Sequence, residues 1–259
     1  MSKTISLLHT LSSAISNYYA LTPSVHKIQA MQPSPLTVDH VAVRSFKSTG
    51  GILQARTQLT QDEIYRSGGV LQIPEKKLDA EWFYTTDPVL RTFAPRIFVS
   101  ELDETKLSSS SQNILKKYAR ISEGTEEDIV SYDDYQNLSK ESEYAGWTLL
   151  HGTRINHVAL TVPKTSTLIE FIERLKQHNF RLNTIGGEIK TSNDGMLHQA
   201  SILSDSIIHA FKEEHRNVPG YFVEFVQRDK YEAGSIREGF ESQNALHIFD
   251  STNIVEKYT

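Results

Sequence analysis

The 259-residue chain contains no cysteine. Disulfides, thiolate metal sites and cysteine nucleophiles are thereby excluded, and a transition-metal site has to be built from imidazole and carboxylate. No apolar run approaches the length of a membrane span. The N-terminus lacks an apolar core followed by a small-residue cleavage site, so no signal peptide is expected. There is no long basic run, and the formal net charge is −5. That balance argues against a nucleic acid or an anionic membrane as partner. Gly50-Gly51 and Gly186-Gly187 do not form a phosphate-binding loop, and no GxSxG elbow is present. Hydrophobic residues at 38% and charged residues at 23% leave room for a globular protein with a sizeable core. The expected address is cytoplasmic, and an organelle is compatible with the same composition.

Against these absences stands one short stretch, Val38 to Phe46 (VDHVAVRSF). Its period-2 alternation predicts a strand with His40, Ala42 and Arg44 on one face. Arg154 to Thr161 (RINHVALT) repeats the Asn/Asp-His-Val-Ala pattern, and Tyr221 to Arg228 sets Glu224 in an apolar strand. Phe222 and Val226 share the face of Glu224, so that face is expected to be buried, and a buried carboxylate is normally paired or metal-bound. We read His40, His157 and Glu224 as one metal site and Arg44 as the group that holds the far end of a substrate. Two histidines and one carboxylate suit ferrous iron and leave coordination positions open. The bland alternatives are core histidines with satisfied hydrogen bonds, and a Glu224 that faces water or pairs with Arg154 or Arg228. His198 could line the same pocket. His9 and His26 read as structural or solvated, and His151, His209, His215 and His247 as surface or supporting residues.

The remaining pattern organises the chain as a single domain, 1–259. An amphipathic helix over Ile5 to Ala20 precedes a first module (1–120) of strand, helix, two strands and helix. Its helix is expected over Gly51 to Ser67, stopped by Gly68-Gly69. Strands are expected over Glu81 to Thr85 and Arg96 to Leu102, and a helix over Ser108 to Arg120. Ser122 to Tyr144 is an acidic, polar connector (within 121–150), expected to be partly helical and closed by Gly146 and Trp147. The second module (151–259) opens on the His157 strand. Thr167 and Glu170 have capping-box spacing ahead of a helix with Leu168, Phe171, Ile172 and Leu175 on one face. Leu197 to Leu203, Ser206 to Phe211 and Tyr221 to Gln227 read as successive antiparallel strands, and Gly239 to Phe249 as a short helix. The order is βαβββ, with the first half a degenerate copy.

The segments VDHVAVRSF, PRIFVSELD, ESEYAGWTLLHGTRINHVALTV, NDGMLHQASILSD, VPGYFVEFVQR and GFESQNALHIFDST resemble, in order from Val38 to Thr252, the 2-oxoadipate dioxygenase/decarboxylase family in its shorter, plant-type form. That family is related to the vicinal oxygen chelate enzymes. The resemblance implies an α+β fold in which two βαβββ modules form a curved, partly closed sheet around a central metal, with added helices. Matched motif by motif, it implies metal ligands at His40, His157 and Glu224 and a substrate-holding Arg44. Gln199, Ser201 and Asn244 lie in family-like motifs and are expected in the pocket. The implied cofactor is Fe(2+), with zinc or nickel as stand-ins after purification. The implied partners are a small 2-oxo diacid and dioxygen, and the implied products are 2-hydroxyglutarate and carbon dioxide. The competing expectations are a metal-dependent isomerase or lyase of the same fold, which often keeps a further carboxylate ligand, and a non-catalytic metabolite-binding protein, which would not need all three ligands.

Overall fold

The structure, a computed structural model, describes residues 3–61, 63–87, 89–92, 94–119 and 129–253. The N-terminal helix α1 (Lys3–Ala20) packs its Leu7, Leu8, Leu11 and Ile15 stripe on the main core. A second helix, α2 (Pro23–Ala30), starts with Pro23 in its first turn. At the first helical position proline loses no hydrogen bond, so it starts a helix as readily as it breaks one.

The first module is β1 (Val38–Phe46), α3 (Gly51–Thr60), β2 (Arg66–Ile73), β3 (Leu78–Tyr84) and β4 (Arg96–Leu102). The helix expected over Gly51 to Ser67 stops at Thr60, and Arg66 to Ile73 is a strand. Gly68 and Gly69 therefore sit inside β2, where the pairing with β3 slips between Ser67 and Gly69. Gly69 takes φ 141° there, and a Cβ on Gly68 would lie 2.3 Å from the Trp82 ring. The two glycines bulge a strand over an indole; they do not end a helix.

After α4 (Ser109–Tyr118), residues 120–128 lie outside the described part, including the start of the expected connector. The rest of that connector forms two helices, α5 (Tyr132–Glu141) and α6 (Glu143–His151), with Gly146 and Trp147 inside the second. Each begins at a serine whose hydroxyl accepts from a backbone N–H of the first turn, Ser131 from Asp134 and Ser142 from Ala145.

The second module runs β5 (Arg154–Thr161), α7 (Leu168–Gln177), β6 (Lys190–Thr191), β7 (Leu197–Ser201), β8 (Ser206–Ala210), β9 (His215–Pro219) and β10 (Phe222–Arg228). The capping box forms as expected: Glu170 N donates to Thr167 Oγ1, and Thr167 N donates to the Glu170 carboxylate. Ser206 to Phe211 departs from expectation. β8 pairs with β9 in a separate hairpin and does not join the main sheet, and β10 runs parallel to β5. Helix α8 (Ser242–Ile248) and a 3-10 turn (Phe249–Thr252) end the described chain.

One curled eight-stranded sheet carries both modules, in the order β2-β3-β4-β1-β5-β10-β7-β6. Each module closes on a parallel pair, β1 with β4 and β5 with β10, and β1 meets β5 antiparallel at the junction. The two His-Val-Ala strands are therefore the central pair, and the third ligand strand lies directly beside them.

Candidate metal centre

His40, on β1, and His157, on β5, project from the same face of the central strands, and Glu224 projects from adjacent β10. Glu224 Oε2 lies 3.4 Å from His40 Nε2 and 3.0 Å from His157 Nε2. All three residues are buried, and their donor atoms lie within 4.8 Å of one another. Donors about 2.1 Å from one ion and at right angles to each other are separated by about 3 Å. The spacing therefore fits adjacent positions around a single metal. The ion pairs considered for Glu224 do not form: Arg228 holds Asp39, and Arg154 reaches the Tyr221 hydroxyl.

The support around the donors is specific. His40 Nδ1–H donates to Asp39 at 2.9 Å, and His157 Nδ1 lies 3.3 Å from the Asn156 side-chain oxygen. These bonds leave both Nε2 lone pairs facing Glu224. Asp39 is gripped by Arg228 at 2.8 and 3.0 Å and by Arg96 at 3.1 Å. Burial raises the Asp39 carboxyl's pKa, yet the two guanidiniums and His40 hold it well below the usual carboxylate range. Glu224 behaves alike: burial opposes its charge, and the two imidazoles overcome that. Phe222 stacks on His157 at 4.4 Å, and Phe240 packs edge-on against His40 at 4.8 Å. Sequence alternation missed Asp39 because it puts neighbouring side chains on opposite faces, and Asp39 curls back to the ring beside it.

The pseudo-symmetry accounts for a cluster of three candidate donors and not four. Ala159, two residues after His157, pairs with Glu224 on β10. Ala42, two residues after His40, pairs with Phe98 on β4. Phe98 thus occupies the place in the first module that Glu224 holds in the second. A fourth protein ligand is replaced by a ring packed 4.9 Å from Phe240.

Gln199 and Asn244 support this arrangement. Gln199 Nε2 donates to Glu224 Oε1 at 2.7 Å, and Asn244 Nδ2 donates to Gln199 Oε1 at 2.8 Å. Ser201 lies 2.8 Å from Ser251, hydroxyl to hydroxyl. His198 is turned to the other face of β7, toward Thr191 and Asp229, and does not line the pocket. His151 is buried; burial pushes its pKa down to about 4.

Arg44 is fully buried, its guanidinium among the rings of Tyr144, Trp147 and Phe249 at 4.8–5.4 Å. Its two terminal nitrogens meet Glu143 at 3.2 and 3.3 Å, and it also donates to Thr252 Oγ1 and to the Phe249 carbonyl. The protein carboxylate beside it is Glu143, whereas Glu101 accepts from Ile52 N and Glu241 from Arg237. Arg44 Nε is buried and has no hydrogen-bond partner among the described residues.

The sequence profile of a family described as 2-oxoadipate dioxygenase/decarboxylase matches residues 120–235. A protein of Oryza sativa subsp. japonica, named 2-oxoadipate dioxygenase/decarboxylase, chloroplastic/amyloplastic, is 34% identical over 251 residues, covering 83% of this chain and 69% of the relative. The crystal structure of hydroxyglutarate synthase from Oryza sativa in complex with 2-oxoadipate superposes with a TM-score of 0.86 at 29% identity, covering 98% of this chain and 94% of that one. A glyoxalase-superfamily protein from Ralstonia eutropha superposes with a TM-score of 0.69 at 17% identity, covering 90% and 84%, which shows a shared fold.

Proposed function

The chain belongs to the 2-oxoadipate dioxygenase/decarboxylase family, and from that premise we propose that it converts 2-oxoadipate and dioxygen to 2-hydroxyglutarate and carbon dioxide, with ferrous iron held by His40, His157 and Glu224. The observation that carries this reading is the buried three-donor face with Phe98 where a fourth ligand would stand. Three protein donors would leave room on a bound ion for a chelating 2-oxo acid and dioxygen; ferrous iron held there would supply a redox-active Lewis acid through which electrons released by the substrate reach dioxygen.

The protein's own residues bind, orient and exclude water. Asp39 and Asn156 fix the imidazole tautomers, and Gln199, braced by Asn244, fixes the Glu224 carboxylate. Phe98, Phe222 and Phe240 keep water from the reacting atoms. Arg44 holds the far carboxylate of the substrate, the acceptor that its unpartnered Nε lacks. Ser201, on the same face, lines the pocket. The isomerase or lyase reading is disfavoured because the extra carboxylate ligand it expects is replaced by Phe98. A cytoplasmic address remains the proposal for this chain: no described helix is long and apolar enough to cross a membrane, although the plant relatives carry plastid names.

The test is oxygen uptake with added ferrous iron across a panel of 2-oxo acids. Uptake should be matched by carbon dioxide release and be strongest with 2-oxoadipate. Glu224→Gln should lose both bound iron and uptake. Iron retained by the wild type with no uptake on any 2-oxo acid would sink the dioxygenase reading. Purified protein loaded with zinc or nickel needs exchange first.

A further inference from the structure

Lys190 has no role in the reading so far, yet it is only 3% exposed. It pairs directly with Gln199 across β6 and β7. Directly opposed residues project from the same face, and the Gln199 side chain on that face reaches the ligand Glu224. Lys190 therefore projects toward the metal-facing side, about 10 Å, two strand spacings, from the strand of Glu224. Its Nζ donates to the Asn183 carbonyl at 2.7 Å. Asn183 in turn donates to Ser251 Oγ, which meets Ser201.

An ammonium can donate three hydrogen bonds and, when buried, is normally paired. Lys190 makes no ion pair among the described residues. The carboxylates near enough to act on it are Glu224, Asp250 and Glu188. Glu224 faces the imidazoles, Lys76 holds Asp250 at 2.6 Å, and Lys176 holds Glu188 at 2.6 Å. Burial accordingly pushes the Lys190 pKa down to about 8. The other cation in this region, Arg44, is already balanced by Glu143.

We propose that Lys190 is a specificity-determining residue that supplies the counter-charge for the second carboxylate of a dicarboxylate substrate. The assignment rests on the proposed function and adds the residue that distinguishes a diacid from a monoacid. The charges close only in this way. A divalent ion is neutralised by Glu224 and the chelating carboxylate, and Arg44 by Glu143. The far carboxylate then needs one more positive charge, and Lys190 is the buried cation without a partner anion. Arg44 supplies directional hydrogen bonds from one side of the Phe249–Thr252 turn, and Lys190 supplies net charge from the other.

The test uses the iron-loaded chain without dioxygen and calorimetric binding of 2-oxoadipate and 2-oxohexanoate, which share a length and differ in the far carboxylate. Lys190→Met should weaken the diacid by roughly 30-fold or more and leave the monoacid within about threefold. Lys190→Arg should restore part of the preference. Metal-free Lys190→Met should melt at or above the wild-type temperature, because a buried unpaired charge is gone. A Lys190→Met variant that keeps the diacid preference, or loses both acids equally with a lowered melting point, overturns the assignment alone. Wild type that binds neither acid overturns it together with the proposed function.

Discussion

At the scale of single residues, Arg44→Lys keeps a charge and loses the planar fork. Iron content should stay at the wild-type level while kcat/KM for 2-oxoadipate falls roughly 30-fold or more. Arg44→Ala should be worse, with metal still retained. Near-wild-type turnover by both variants would show that another residue holds the substrate. The face of Arg44 was legible in the sequence, but its pairing with Glu143 was not. Glu224 was legible because a carboxylate between Phe222, Val223, Phe225 and Val226 has no inexpensive explanation. His40 and His157 were legible because they repeat one strand context. Asp39, Glu143 and Lys190 were not, since charged residues on the alternate face of a strand, at a helix start and between turns usually face water.

At the scale of elements, α1, α4 and α7 were readable because their apolar residues recur at helical spacing, with Ser108 and Thr167 capping the last two. Helices α5 and α6 were legible only as a partly helical connector because their surface is acidic, and β2 was hidden by glycines that suit a bulge as well as a stop. Yet α6 brings Glu143, Tyr144 and Trp147 to Arg44. Its placement depends on Gly146, where a Cβ would fall 1.9 Å from Ser139 Oγ and 3.0 Å from Ser139 Cβ on α5. Gly146→Ala gains about 1 kcal/mol of helix propensity. Overpacking costs about 1–3 kcal/mol, and because the Ser139 Cβ cannot rotate away, the cost should win. A melting temperature lower by about 2–4 °C is expected, and a higher one would mean that the two helices separate freely.

At the scale of the whole molecule, the βαβββ order was readable, whereas the parallel run of β10 beside β5 depends on a pairing between distant strands that local pattern does not encode; the β8–β9 pairing is local, but its separation from the main sheet is not written in the alternation of either strand. The candidate donors straddle the seam, with His40 on one module and His157 and Glu224 on the other. A metal held there would also tie the modules together. An ion at about a thousand times its dissociation constant adds roughly 4 kcal/mol to stability, so chelation should lower the melting temperature by roughly 10 °C. Glu224→Gln should remove that difference, and a chelator-insensitive melting point in the wild type would count against the shared site.

The chain has two tryptophans, and both lie beside the site. Trp82 is 5.6 Å from Phe240, the ring against His40, and the Trp147 ring lies 5.2 Å from the Arg44 guanidinium. The protein therefore has an intrinsic optical gauge beside the candidate metal donors and another beside Arg44. An open-shell ion at the histidines should quench mainly the emission of Trp82, and an anion arriving at Arg44 should shift mainly that of Trp147. Trp147→Phe and Trp82→Phe would each leave a single emitter, so that metal loading and acid binding could be followed by light as separate events in one cuvette.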